Sequence, residues 1–261
     1  MARLVKRPRF AQILDYCAED PVERVFLEDV ARRGLGRFAG LREGRRLTAL
    51  CHLGANLVPS GPGCSAFAEE ASRSEPRMLV GEESAATELW EAARDLLPEP
   101  LDDRPGQPVY VLDAAPKPGD SGVRPARLDE LGMLVRAAAQ AYREEVGIDA
   151  HARDPALFEW RTRAQIEEGR SWVWAEEGAI LFKAEASAWT PRAVQLQQVW
   201  VDPELRGRGY AKRGLADLCR LLLETTPVVC LFVRPENDPA IGLYEAIGMR
   251  RTITYRSLIF G

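Results

Sequence analysis

Histidine is scarce in this sequence, and its cysteines follow no pattern. The 261 residues include two histidines, His52 and His151, which lie in different halves of the chain. This placement argues against a Ser-His-Asp triad or a histidine-based metal site. The five cysteines are odd in number and form no CxxC pair. That usage is typical of a reducing compartment and argues against a disulfide framework or a zinc site, so we expect no metal.

Long hydrophobic runs and an excess of positive charge are also missing. No apolar run reaches the roughly 18–20 residues that a membrane-spanning helix needs, and the basic start lacks the apolar core of a signal peptide. The formal net charge is −4, which does not favour a nucleic-acid partner. With 46% hydrophobic and 28% charged residues, the composition is that of a globular protein. We expect it to be cytoplasmic, without membrane or nucleic-acid partners.

A segment rich in proline and glycine divides the chain. Residues 113–122 contain two prolines and two glycines and have no hydrophobic periodicity. Such a segment is typical of a linker. The sequence therefore predicts an N-terminal domain over 1–115 and a C-terminal domain over 123–261.

The C-terminal part has a clear order of helical and strand patterns. The pattern predicts a helix, a β-hairpin, a third strand, and then a helix, a strand, a helix and a strand. The corresponding ranges are 128–147, 171–189, 193–201, 210–225, 228–233, 238–248 and 251–260. This order is typical of an α/β sheet with at least one parallel crossover.

The N-terminal part repeats this order in a weaker form. Two strand-like runs lie within 37–54, a third covers 55–60, glycines precede a helical pattern over 61–73, and a strand and helix cover 77–96. At a constant offset, the residues Glu83, Ala86, Leu89 and Trp90 correspond to Asn237, Ala240, Leu243 and Tyr244. We interpret the N-terminal part as a decayed copy of the C-terminal part.

A loop rich in glycine and arginine precedes the helix at 210–225. Gly207 and Gly209 allow the backbone to approach a ligand closely, and Arg206 and Arg208 add positive charge. The first N–H groups of the helix have no intrahelical partner and carry partial positive charge. These features favour a pyrophosphate site. The alternative is a tight turn on a solvated surface.

The residues around this loop carry a family resemblance. The first motif comprises Val199–Trp200–Val201, Pro203, Arg206, Gly209 and Ala211. The second motif, one βα unit later, comprises Asn237, Ala240, Leu243–Tyr244 and Gly248–Met249. With two motifs in order on matching elements, residues 123–261 resemble the GNAT superfamily of N-acetyltransferases. The N-terminal part resembles the domain that precedes such acetyltransferases in some actinobacteria.

The resemblance implies a fold, a co-substrate and an acceptor. The implied fold is α/β, with two tandem GNAT-like domains in which a mixed sheet is flanked by helices and the first domain is degenerate. The implied co-substrate is acetyl-CoA, and the implied acceptor is an amine on a small molecule or a peptide.

The family's cofactor-binding residues map onto the third strand, the glycine loop and the second motif. Backbone groups of the strand would bind the pantetheine arm, backbone N–H groups of the loop would bind the pyrophosphate, and Asn237 would bind the pantetheine. The implied residues are Val199, Trp200, Val201, Arg206, Gly207, Arg208, Gly209, Tyr210, Ala211, Lys212 and Asn237. Asn237 has a structural alternative, because asparagine commonly caps helices.

The resemblance also assigns the chemistry. The N–H of Val199 would polarise the thioester carbonyl, and the hydroxyl of Tyr244 would donate to the departing thiolate. The alternative for Tyr244 is a core position beside Leu243 and Ile247.

The general base is not defined by the motifs. Many family members carry a glutamate on the third strand, but this sequence has Gln195, Gln197 and Gln198 there, and an amide cannot act as a base. Glu185 on the preceding strand is the candidate base. Glu144, Glu145 and a water chain are alternatives, and a solvated surface role is the structural alternative for each glutamate.

Two rival functions stay open. The missing strand glutamate is compatible with a non-catalytic acyl-CoA-binding or regulatory protein, and the motifs are compatible with transfer of a longer acyl group. The acceptor is not defined by any charged or aromatic pattern.

Overall fold

In the computed structural model, which describes residues 2–147 and 149–260, twelve strands form one continuous mixed sheet. The N-terminal half contributes β1 (Arg3–Val5), β2 (Arg37–Glu43), β3 (Arg46–Leu53), β4 (Asn56–Ser60), β5 (Met78–Glu82) and β6 (Asp102–Leu112). Its helices are α1 (Phe10–Glu19), α2 (Val25–Arg32), α3 (Ala68–Ser72) and α4 (Glu83–Ala93).

The C-terminal half contributes the remaining six strands and five helices of the described residues. The strands are β7 (Arg124–Pro125), β8 (Ser171–Glu176), β9 (Ala179–Trp189), β10 (Val194–Val201), β11 (Val229–Phe232) and β12 (Arg250–Ile259). The helices are α5 (Leu131–Val146), α6 (Ala150–Arg153), α7 (Pro155–Glu167), α8 (Tyr210–Leu223) and α9 (Asp238–Ala246). Short 3-10 helices cover Cys64–Phe67, Leu128–Glu130 and Pro203–Leu205.

The two halves have the same strand pairing. Strands β1 to β4 are antiparallel neighbours, and β4 pairs with β5 in parallel. Strands β7 to β10 are likewise antiparallel neighbours, and β10 pairs with β11 in parallel. The expectation of two tandem α/β units with a mixed sheet is therefore confirmed.

The last strand of each half lies in the sheet of the other half. Strand β6 pairs with β11, strand β12 pairs with β5, and β6 and β12 pair with each other. This exchange joins the two halves into one sheet with the order β1-β2-β3-β4-β5-β12-β6-β11-β10-β9-β8-β7. The boundary between 115 and 123 stays a prediction from the sequence.

Several elements were not predicted from the sequence, and β6 is the most consequential. Its sequence includes Pro105, Gly106 and Pro108, and these residue types are typical of a loop. The register between β6 and β12 shifts at two places, between Arg251 and Thr254 and between Tyr255 and Ser257. These irregularities accommodate the prolines inside a paired strand. Helices α1, α2, α6 and α7 were also missed, and the apolar residues of α7 follow no single face.

Apolar cores cover both faces of the C-terminal half of the sheet. On one face, Leu215, Leu218 and Leu222 of α8 are buried with Phe182 and Val201. A side chain at Gly214 would meet the Phe182 ring at 2.6 Å, so the glycine lets α8 lie close to the sheet. On the other face, Trp200 packs with residues of α5 and α7. The position of α8 fixes the loop that precedes it.

Among the described residues, no helix combines the length and the hydrophobicity required to cross a membrane.

Candidate active site

Strands β10 and β11 separate towards their carboxyl ends. In the described part of the chain their parallel pairing is limited to Val194 with Val229 and Gln195 with Cys230, although β10 continues to Val201. Strand β10 also contains a bulge, because Gln197 pairs with Glu185 and Trp200 with Lys183. Two residues therefore lie opposite one on β9. The separation leaves an opening between two parallel strands at the end where ligands bind in α/β sheets.

The predicted strand residues lie at this opening and face opposite sides of the sheet. Val199 and Val201 pack against the core under α8, and Val199 is only partly buried. Trp200 is buried under α5 and α7, and its indole nitrogen has no hydrogen-bond partner among the described residues. The side chains of the valines are thus core residues, and their backbone groups are what the strand offers to a ligand.

The glycine loop leads directly into α8. Gly207 and Gly209 have φ of +76° and +84°, a left-handed conformation that favours glycine. Gly209 is the N-cap of α8, and its position supplies no side-chain capping hydrogen bond. The first N–H groups of α8 are therefore available to an anion from outside the helix.

The charged residues of the loop are exposed, and one of them, Arg206, forms hydrogen bonds with groups outside the loop. Arg206 donates through Nε to the Val201 carbonyl at 3.2 Å and through Nη2 to Glu144 Oε2 at 2.6 Å. Arg208 and Lys212 are exposed and form no ion pair with a described residue. Arg206 therefore connects the loop to β10 and α5, which leaves Arg208 and Lys212 as the uncompensated cations.

The other two loop residues are apolar contacts at the start of α8. Tyr210 is partly buried and meets the Trp174 ring edge-on, with centroids 5.1 Å apart. Ala211 is also partly buried against the core under α8. Both residues fix the first turn of α8 against the sheet.

Tyr244 lies on α9 and is buried with 7% of its surface exposed. Its ring packs against that of Tyr110 on β6, with centroids 5.7 Å apart. Burial raises the pKa of the Tyr244 hydroxyl above its usual value, and the nearby Glu145 carboxylate raises that pKa further. Tyr244 is thus both a core residue beside Ile247 and a group that keeps its proton at neutral pH.

Asn237 is exposed and caps α9. Its Oδ1 accepts a hydrogen bond from the Ala240 N–H at 3.2 Å. Asn237 therefore caps a helix, which is the structural alternative to binding the pantetheine arm. The amide nitrogen has two further N–H donors that the cap does not use.

Glu185 is buried and forms an ion pair that the sequence did not predict. Lys183 donates to Glu185 Oε1 at 2.6 Å and to Gln198 Oε1 at 2.9 Å. The Lys183 side chain is 0% exposed. The period-two spacing of Lys183 and Glu185 in an apolar strand was the available signal, because residues two apart lie on the same face. One oxygen of the candidate base is thus occupied by an ammonium.

The carboxyl end of α5 brings Glu144 and Glu145 to the opening. Glu144 pairs with Arg206, as described above, and Glu145 lies close enough to Tyr244 to raise its pKa. The main-chain carbonyl of Glu145 accepts hydrogen bonds from Arg104 at 3.3 Å and from Arg234 at 2.6 Å. Positive side chains at a helix carboxyl end are favourable. The two guanidinium groups hold this end of α5.

The N-terminal half contributes to this part of the site through β6. Asp102 on β6 accepts hydrogen bonds from Arg104 at 2.7 Å and from Arg234 at 3.1 Å through the same oxygen, Oδ2. Tyr110, also on β6, donates from its hydroxyl to Glu245 on α9 at 3.0 Å. The groups around Tyr244 and Glu145 therefore come from both halves of the chain.

The equivalent loop in the N-terminal half is occupied by a side chain of the protein. Gly61 and Gly63 have positive φ values, as in the C-terminal loop. The Gly63 N–H donates to Glu88 Oε2 at 2.9 Å, and the Ser65 hydroxyl donates to Glu88 Oε1 at 3.1 Å. The Glu88 carboxylate on α4 thus accepts from the donors that a phosphate would need, and its negative charge would repel a phosphate.

This repeated fold, with its opened strand pair and glycine loop, defines an acetyltransferase-type α/β protein, and comparison with known proteins agrees. Residues 133–249 match the acetyltransferase (GNAT) family, and residues 36–134 match a domain of unknown function, DUF4081. The N-alpha-acetyltransferase RimI of Mycobacterium tuberculosis is 30% identical over 128 residues, which cover 46% of this chain and 78% of the relative. The chain belongs to the GNAT family of acetyltransferases.

Solved structures resemble the whole chain in fold. A tandem GNAT protein from the clavulanic acid biosynthesis pathway has a TM-score of 0.56 at 15% identity, with 99% of each chain covered. A GNAT-family acetyltransferase from Colwellia psychrerythraea has a TM-score of 0.57 at 12% identity, covering 99% of this chain and 100% of that chain. At these identities the likeness concerns the fold alone, and it extends through both halves.

Proposed function

We propose that the protein transfers the acetyl group of acetyl-CoA to an amine by direct attack in a ternary complex. The observation that carries this proposal is the opening between β10 and β11, with the glycine loop and α8 following β10, and α9, which carries Tyr244, following β11. Membership of the GNAT family supports acetyl-CoA as the co-substrate.

Acetyl-CoA would bind along the opening. The N–H groups from Arg206 to Lys212 would bind the pyrophosphate, assisted by the exposed cations Arg208 and Lys212. Backbone groups of Val199 and Val201 would pair with the pantetheine arm as an additional strand would. The amide N–H groups of Asn237, which the cap of α9 does not use, would donate to the same arm.

The chemistry would proceed through a tetrahedral oxyanion. The amine nitrogen attacks the thioester carbonyl, a C–N bond forms, and the Val199 N–H stabilises the charge on oxygen. The C–S bond then breaks, and the Tyr244 hydroxyl donates to the departing thiolate. The proton lost by the amine goes to a base at the opening.

Glu145 is the base that we favour. Its carboxylate raises the pKa of Tyr244 and forms no ion pair with a described residue, whereas Glu185 Oε1 accepts a hydrogen bond from the Lys183 ammonium at 2.6 Å, which weakens Glu185 as a base. Glu185 stays the second candidate, and Glu144 is engaged by Arg206.

An α-amino group on a peptide is the first acceptor to test, because the curated relative is named as an N-alpha-acetyltransferase. Small-molecule amines form the second set. Release of free CoA from acetyl-CoA, measured with each amine and confirmed by mass spectrometry of the product, tests the proposal.

The Gly209→Asp variant connects the reaction to the loop. It introduces a negative charge and a side chain at φ +84°, where the phosphates should lie. Calorimetry should detect CoA binding to the wild type and none to the folded variant. Binding without acetyl transfer to any amine would instead favour a non-catalytic acyl-CoA-binding protein, and faster transfer from a longer thioester would favour a different acyl group.

A further inference from the structure

Lys183 is a fully buried lysine to which the proposed chemistry gives no role. Its ammonium donates to Glu185 Oε1 at 2.6 Å and to Gln198 Oε1 at 2.9 Å. Replacing a buried ion pair with apolar residues is often neutral or stabilising. Stability alone therefore gives no reason for a charged side chain at this position, and the second acceptor, Gln198, indicates another role.

Gln198 is held in an unfavourable backbone conformation. Its φ is +49°, in the left-handed region that residues with a side chain seldom adopt. It lies in the bulge of β10, where two residues face one on β9. Such a conformation persists only when the surrounding structure fixes it. The hydrogen bond from Lys183 is a direct contact that fixes the Gln198 side chain across the strand pair.

The conformation of Gln198 determines where the next N–H points. The peptide group that joins Gln198 to Val199 carries the Val199 N–H, so the ψ angle of Gln198 sets its direction. The bulge lies beyond Gln195, the last residue of β10 that pairs with β11. It is therefore in the part of β10 that borders the opening.

We propose that Lys183 is a positioning residue that holds the bulge of β10 through Gln198 and so aims the Val199 N–H at the reacting carbonyl. The direction of the Val199 N–H towards the reacting carbonyl rests on the proposed function. The stabilisation of the bulge by Lys183 does not. Glu185 neutralises the buried ammonium, which limits the cost of keeping it under α5.

Two substitutions of Gln198 separate the backbone effect from a packing effect. Gln198→Met keeps the length of the side chain but removes the oxygen that Lys183 contacts. Gln198→Gly also removes that oxygen, but glycine adopts positive φ without the penalty of a side chain. The inference requires the methionine variant to lose the bulge and the glycine variant to keep it. A role confined to packing gives the opposite order, because methionine fills the space and glycine does not.

Amide hydrogen exchange of residues 197–200, measured by NMR, is the first readout. In Gln198→Met the amides of Gln197 and Trp200, which pair with β9 on either side of the bulge, should exchange at least about tenfold faster, and in Gln198→Gly their exchange should stay within about threefold of the wild type. Equal exchange in the wild type and in Gln198→Met would overturn the proposal.

Acetyl transfer is the second readout. Gln198→Met should lower kcat about tenfold or more, up to the roughly 10²–10³ lost when an oxyanion donor is removed outright, with the CoA dissociation constant nearly unchanged. Lys183→Met should behave in the same way, and the double variant Lys183→Met/Gln198→Gly should recover. The recovery cannot come from Glu185, because Glu185 lacks its ion-pair partner Lys183 both in Lys183→Met and in the double variant. Failure to recover in a folded double variant would contradict the inference. If the wild type transfers no acetyl group, the exchange measurement still decides the role of Lys183, while the proposed function fails separately.

Discussion

Replacement of Tyr244 by phenylalanine removes one oxygen from the candidate acid and leaves its ring in place. The ring contacts with Tyr110 and Ile247 do not involve that oxygen. No hydrogen bond joins the hydroxyl to a protein group in the described residues. The free energy of unfolding should therefore change by less than about 1 kcal/mol.

The effect on catalysis should be much larger. Positioned acid catalysis contributes about 10²–10⁴ in rate, which corresponds to about 3–5 kcal/mol of transition-state stabilisation. We expect kcat to fall by that factor in Tyr244→Phe. The CoA dissociation constant should barely move, because the hydroxyl acts as charge develops on sulfur. Steady-state kinetics and calorimetry on the same preparation measure both quantities.

The pH dependence of the wild type provides an independent check on the role of Tyr244. Since burial and the Glu145 carboxylate raise the pKa of Tyr244, its hydroxyl should keep its proton at and beyond the ordinary tyrosine value of about 10. No alkaline loss of kcat from this group is expected below that pH.

Tyr110→Phe is the matched control. It removes a hydroxyl from the neighbouring ring, and that hydroxyl is bound to Glu245 at 3.0 Å. It should cost about 1 kcal/mol of stability and leave kcat within about two- to threefold of the wild type. If Tyr244→Phe also retains kcat within that range, Tyr244 is a core residue only, and another donor or water protonates the thiolate.

Three further predictions follow from the N-terminal half. Because Glu88 occupies the donors of the N-terminal glycine loop, native mass spectrometry should detect one CoA per chain, and two would contradict the decayed site. Burial raises the pKa of Glu23 to about 7 from an ordinary value of 4.5. The folded state therefore binds more protons, and stability should fall by up to about 3 kcal/mol as pH rises through this interval. Glu23→Gln should flatten that slope in denaturant titrations, and an unchanged slope would remove Glu23 from this role. Deletion of residues 1–115 removes β6 from beside β11, so the remaining chain should aggregate in light-scattering assays, and a stable monomer would refute this dependence.

The strands and helices around the candidate site that the sequence predicted correctly depend on local signals. The strand at 194–201, the glycine loop, α8 and α9 are adjacent in the chain, and each has its own periodicity or cap. The strands and helices of the N-terminal half that repeat this order were predicted from the same kind of local signal. Local pattern was sufficient wherever the neighbours in sequence are also the neighbours in the fold.

The parts that the sequence did not predict depend on distant contacts. The prolines and glycine of β6 are typical of a loop, and only pairing with β11 and β12 makes the segment a strand. The contact between Lys183 and Gln198 requires the bulge of β10, which has no marker in the sequence because a glutamine occupies the left-handed position. The position of Arg104 at the end of α5 likewise follows from β6.

The exchange of β6 and β12 also dictates when this sheet can be completed during synthesis of the chain. Strand β12 is made after all the other described strands, yet it lies between β5 and β6, with Tyr255 opposite Glu82 on one side and Gln107 on the other. Until β12 arrives, the edge of β5 is unpaired, and open strand edges associate with other chains. These pairings between distant segments are slow to form. The two halves therefore complete their sheet together, at the last strand, although each has the elements of a separate domain.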